Sequence, residues 1–384
     1  MQSRERVLAA INHQQPDKVP IDFGGIQTSI HMQAYLKLLE YLHVEDPQIQ
    51  YADIIQHIAV PCEAVLQRFE IDTRYVRFPG SVKSPSFMPE QNGPYAGVYD
   101  QFGVFWGDRA EKPAEDVLYY DPVIHPLADL QTPQEIDNYD WPDGHDKSPF
   151  TGARDQAQKL RKTEYAIVSQ PAGCIFEYTT FLFGFAKTLR YMRTRPDLIT
   201  SAIKCLTTYW LDYATTFLGE VGDYLDVYCI NGDLAAQSGP LFNPKLYEQL
   251  ALPYERQLAD RVHSLTTAKI NYHCCGSAVP FIPYFATIGY DIYNPVQISA
   301  YDMEPCSLKA RFGDIITFWG GACNTQKTLP FGTPLAIREE VRKNLGCFKP
   351  GGGYVGANVH NITAEVPPQN VVAMFDAVRE FRNY

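Results

Sequence analysis

The chain has 384 residues, a net charge of −11 and a 45% hydrophobic composition, enough apolar material for a large core. No clustered Lys/Arg run offers the phosphate-binding surface a nucleic-acid partner needs. No apolar stretch approaches the ~20 residues that span a bilayer, and the charged N-terminus lacks the apolar core of a signal peptide, so a cytoplasmic protein is expected.

Residues 3–6 open a short amphipathic helix, with Ser3 the expected N-cap. Residues 19–25 read as a first strand that ends in Asp22 and a Gly-rich turn. Helices are expected over 30–42 and 61–69, after which 73–77 alternates like a strand. Residues 78–130 differ: they are rich in Pro, Gly and aromatics, with 99–106 reading as a hairpin. Lacking helices for a core of their own, they read as an insertion arm, with Asp100 and Asp108 solvated.

Further strands are expected at 165–169, 224–230, 267–272, 291–294, 315–320 and 353–358, separated by helical stretches and followed by a terminal helix at 369–381. Eight strands alternating with helices indicate a (β/α)8 TIM barrel, one domain over 1–384. A doubly wound sheet would carry a dinucleotide fingerprint after its first strand, and Gly24-Gly25 does not fit one. The glycines of 351–353 lack the following Lys-Ser/Thr of a phosphate cradle and read as a loop. The nine cysteines, odd in number and scattered from Cys62 to Cys347, read as reduced thiols.

In a barrel the C-terminal strand ends surround one mouth. Those ends carry Asp22, Gln170, Asp233, His273 with Cys275, Asn294 with Gln297, Cys323 with Gln326, and His360; Glu177 follows the third strand. Residues i and i+2 of a strand share a face, so His273 and Cys275 converge while Cys274 points away. Imidazole and thiolate together suit zinc. His360 or Cys323 is the candidate third ligand, against a bland reading in which Cys323 is a core thiol and His360 a backbone cap.

The opening Ser3-Arg4-Glu5-Arg6-Val7-Leu8, with Pro16-Asp17-Lys18-Val19-Pro20, resembles the start of uroporphyrinogen decarboxylase superfamily proteins. His273-Cys274-Cys275-Gly276, Asn294-Pro295-Val296-Gln297, Phe318-Trp319-Gly320-Gly321, Leu329-Pro330-Phe331-Gly332 and the stretch from Gly351 to Pro368 extend the likeness over essentially the whole chain. The resemblance implies a (β/α)8 barrel, in agreement with the strand count. True decarboxylases of this superfamily carry an N-terminal Arg-Gln-Ala-Gly-Arg motif; here no Arg occurs between Arg6 and Arg68.

The corrinoid-dependent methyltransferase branch, which includes coenzyme M methyltransferases and related demethylation enzymes, binds zinc through His-x-Cys plus a later Cys. The resemblance therefore implies zinc on His273 and Cys275, with His360 where the branch usually has Cys and Cys323 in reserve. It also implies a cobalamin presented by a separate corrinoid protein and a small methyl donor or acceptor, with Asp22, Gln170, Glu177, Asp233, Asn294, Gln297 and Gln326 as substrate-facing candidates. Two other readings stay open: a metal-free lyase acting on a cyclic carboxylic acid, and a non-catalytic corrinoid- or ligand-binding protein. A homodimer also stays open.

Overall fold

In the computed structural model, residues 1–77 and 88–384 are described; residues 78–87, the first part of the expected arm, lie outside the described residues. Seven parallel strands form one sheet in the order Thr73–Tyr75, Ala166–Val168, Val227–Asn231, Lys269–His273, Ile292–Asn294, Thr317–Trp319 and Tyr354–Val355. The first segment closes the ring. Ile21 bridges Gly356 in parallel, Asp22 N–H donates to Gly356 O at 2.9 Å, and Asp72 N–H donates to Ile21 O at 2.8 Å on the other side. The α/β TIM-barrel-like fold follows from sequence as expected.

Alternation along the strands sorts two cores. Ala166, Val168, Val227, Cys229, Ile292, Trp319 and Val355 point inward, where Val7, Ala10 and Ile11 of the helix Ser3–Ile11 plug the bottom. That helix starts one residue earlier than Ser3 capping would require: Gln2 is the cap, and its N–H donates to the Glu5 carboxylate at 3.0 Å. The opposite strand faces pack under the surrounding helices, as in Ile167, Tyr228, Ile230, Tyr272 and Phe318. No helix among the described residues is long and apolar enough to cross a membrane.

The arm is a four-stranded antiparallel sheet, built from Glu90–Asn92, Tyr95–Tyr99, Phe105–Arg109 and Asp121–Ile124. It shares the barrel's outer core through Val98, Phe102, Val104 and Trp106. Asp100 corrects the expectation of a solvated carboxylate. It accepts the N–H groups of Phe102 and Val104, Trp106 Nε1 at 2.7 Å and Tyr178 OH at 2.6 Å, tying the arm to the helix Phe176–Phe183.

The cysteines also differ from expectation. Cys306 and Cys347 form a disulfide, because the start of the helix Pro305–Phe312 packs beside the end of Pro334–Phe348 and brings their Cα atoms within 4.7 Å. The glycine run is a crossing point, not an anion cradle: a Cβ on Gly352, at φ +79°, would lie 2.5 Å from Gln14 O.

Candidate metal centre

His273 ends the strand Lys269–His273, and its ring is held from behind. Nδ1 lies 2.6 Å from Asn294 Oδ1, while Asn294 Nδ2 donates to Trp319 O at 3.0 Å. Because the amide nitrogen is committed to that carbonyl, its oxygen faces the ring, Nδ1 donates, and Nε2 is left with a free lone pair. That Nε2 lies 3.3 Å from Cys275 Sγ. Cys274 turns away, as alternation requires, and Leu234 N–H donates to its sulfur.

The turn after the strand is held by side chains from two neighbouring strand ends. Cys275 N–H donates to Asp233 Oδ1 and Gly276 N–H to Gln297 Oε1, both at 2.7 Å. Glycine is required there, since a Cβ at position 276 would stand 2.5 Å from Ala235 O and the residue has φ +80°.

His360 arrives from the loop after the last strand. Its backbone is left-handed, at φ +59°, uncommon for a side-chain-bearing residue. Asn358 Nδ2 donates to the His360 carbonyl, and Asn361 anchors the loop by accepting Ser29 N–H and donating to Ile26 O. The His273 and His360 rings are 5.2 Å apart, edge to face. One ligand atom from each of His273, Cys275 and His360 lies within 4.8 Å of the others. A common ion about 2.0–2.3 Å from each donor fits that spread.

The electrostatics suit a cation. Burial holds His273 down at about 4, and burial with the neighbouring His273 ring holds His360 at about 4, so both imidazoles are neutral at pH 7 with lone pairs to offer. Burial, and then the charge of Asp233, push the Cys275 thiol well above its ordinary value; a cation in contact with the sulfur reverses that preference. One feature of His360 resists: Nδ1 accepts Asn361 N–H at 2.8 Å, so the neutral ring carries its proton on Nε2. Ligation through Nε2 requires the proton to move to Nδ1 and that bond to open.

The other candidates divide. Glu177 and Asp233 stand near each other; burial, then Asp233, pushes Glu177 up to about 8, and burial raises Asp233 as well. Gln170 is 6% exposed, and its two amide atoms have no hydrogen-bond partner among the described residues. Asp22 is wholly buried and already accepts from Thr28, Thr73, Tyr75 and Trp319, so no acceptor site remains for a substrate. Asn294 and Gln297 spend their side chains on His273 and Gly276. Gln326 is exposed and takes the Ser299 hydroxyl at 2.7 Å. Cys323 lies in the outer apolar core, outside the three-residue cluster, because Gly320 and Gly321 at φ +121° and +71° turn the chain off the strand before it.

The model for uroporphyrinogen decarboxylase (URO-D) matches residues 120–381. The uroporphyrinogen decarboxylase of Psychromonas ingrahamii is 22% identical over 394 aligned residues, spanning 98% of this chain and 96% of that protein. A stretch of 149 residues is 36% identical to the uroporphyrinogen decarboxylase of Pseudoalteromonas atlantica, covering 37% and 39% of the two chains. A methyltransferase from Methanosarcina mazei has the same fold, with a TM-score of 0.64 at 16% identity over 99% of both chains. The family match takes in the strands that carry His273, Cys275 and the loop bearing His360, and the chain belongs to the uroporphyrinogen decarboxylase (URO-D) family.

Proposed function

We propose that this chain is a zinc-dependent methyltransferase that exchanges a methyl group between a small substrate and a cobalamin carried by a separate corrinoid protein. The observation that carries the reading is the convergence of one thiol and two neutral imidazoles within 4.8 Å at the barrel mouth. Nitrogen and sulfur donors are the set zinc takes, and three protein ligands leave a fourth position for substrate. The solved methyltransferase that shares the fold is consistent with this reading.

Zinc on these residues would supply Lewis acidity toward a methylated heteroatom or stabilise an attacking thiolate. The protein's own contributions are distinct. Asn294 fixes the His273 tautomer, Asp233 holds the backbone of Cys275, and Glu177 keeps a proton at neutral pH beside the mouth. Cobalamin would reach the mouth on the corrinoid partner.

The names of the curated relatives favour a second reading, a lyase acting on a cyclic carboxylic acid without metal. Two measurements separate them. Protein purified without added zinc should contain about one zinc per chain, and it should transfer methyl groups to or from cobalamin. Metal-free protein with full activity would overturn the proposal.

A further inference from the structure

A cavity of about 470 Å³ opens beside the first two barrel strands, and neither His273 nor Cys275 lines it. Its walls include the apolar side chains of Phe23, Pro61, Leu66 and Leu160, and two arginines, Arg74 and Arg77. Arg77 follows the strand Thr73–Tyr75 by two residues. Its guanidinium lies 5.4 Å from the centre of the Tyr75 ring, and Nη2 donates to Gly24 O. Nη1 is buried with no hydrogen-bond partner.

Among the described residues, no carboxylate is bonded to it as a counterion. Asp22 is the carboxylate that acts on Arg77, yet its oxygens are taken by Thr28, Thr73, Tyr75 and Trp319. Arg74, also at the cavity, is spoken for by Glu63, at 2.7 and 2.9 Å. Gln156 spends its Oε1 on the Arg77 backbone N–H. Burial lowers Arg77 to about 10, so it stays charged at pH 7. A buried cation on a cavity wall, with no anion among the described residues bonded to it, is a costly arrangement unless a ligand completes it.

We infer that this cavity is a binding site for a small monocarboxylate with an apolar body, its carboxylate bonded to Arg77 and its body packed between Phe23, Leu66 and Leu160. A planar guanidinium suits a planar carboxylate, and apolar walls interrupted by a few polar groups, here Gln50, Tyr75 and Gln156 beside Arg77, are the usual make-up of a small-molecule pocket. With Arg74 already paired to Glu63, Arg77 alone has a donor to offer, a poor host for a multiply charged tetrahedral anion.

The test is a calorimetric titration of chelator-treated full-length protein with benzoate, methyl benzoate and inorganic phosphate, so that binding at a zinc ion is excluded. Benzoate should bind saturably, and methyl benzoate at least tenfold more weakly. Arg77→Met should weaken benzoate at least tenfold, and Arg77→Lys should recover part of the loss. Benzoate should raise the melting temperature of the parent and leave that of Arg77→Met unmoved. If Arg77→Met does not fold, Leu160→Trp, which fills the cavity from a half-buried helix position, should abolish benzoate binding instead. Equal binding of the ester, equal binding by Arg77→Met or Leu160→Trp, or phosphate binding as tight as benzoate would overturn the assignment.

Discussion

His273 Nδ1 lies 2.6 Å from Asn294 Oδ1, and the other end of that amide is fixed by Trp319 O. The three groups form a relay of orientation: a carbonyl sets the amide, the amide sets the imidazole, and the imidazole presents Nε2 to Cys275. Partners behind a ligating histidine typically contribute about 10–100-fold to metal affinity. Asn294→Ala should therefore weaken zinc binding by roughly that factor in a competition titration, with the circular dichroism spectrum unchanged. Unaltered affinity would remove His273 Nε2 from the ligand set.

Cys275 and His360 can be tested against each other. Cys275 follows its strand and is half-buried, so Cys275→Ala should leave the fold intact while abolishing both zinc binding and cobalamin-coupled methyl transfer. His360→Cys should keep zinc bound, since a thiolate needs no tautomer change, whereas the imidazole must first release Asn361 N–H. Methyl transfer by Cys275→Ala at the parental rate would sink the zinc mechanism.

Much of this was legible in the sequence for one physical reason. Parallel barrel strands are buried on both faces and so read as short apolar runs; Ala166-Ile167-Val168 is one. The His273-x-Cys275 spacing was legible because alternation alone sends both side chains to one face. What stayed hidden depends on contacts between distant residues. Asp100 finds Tyr178 78 positions away, and Cys306 meets Cys347 41 positions away. Cys323 follows its strand as Cys275 does, but two positive-φ glycines intervene and send it into the core. Arg77 looks like an ordinary alternating strand residue; what sets it apart is a buried Nη1 that finds no hydrogen-bond partner among the described residues.

The Asp100 carboxylate braces the arm internally through Trp106 and ties it to the helix Phe176–Phe183 through Tyr178. Asp100→Ala would leave Trp106 Nε1 and Tyr178 OH without their acceptor, at a cost of about 1–3 kcal/mol for each buried group. A loss of about 2–6 kcal/mol in unfolding free energy is expected, with faster limited proteolysis within the arm than in the barrel. Phe102, packed against Tyr178, Tyr209 and Trp210, should keep the arm docked enough for the protein to fold. A stability within 0.5 kcal/mol of the parent, about the scatter of a surface substitution, would mean that Asp100 is replaceable by water.

Glu255 gives the pH dependence. It is 1% exposed on the helix Leu252–Leu265, accepting Tyr247 OH at 2.7 Å and Tyr290 OH at 3.4 Å. Burial raises it from 4.5 to about 7. The folded protein therefore holds a proton that the unfolded chain releases near its ordinary carboxylate value. Between those two values the native state binds more protons than the unfolded state, so stability falls as pH rises through the window and levels off above about 7. At about 1.4 kcal/mol per pKa unit the full effect is about 3 kcal/mol. Glu255→Gln keeps an acceptor for Tyr247 and has no charge to bury. Denaturant unfolding at a series of pH values should show the variant gaining on the parent by up to about 3 kcal/mol between pH 4.5 and 8, with little difference at the acid end. Parallel stability profiles for the two proteins would place the Glu255 titration outside this window.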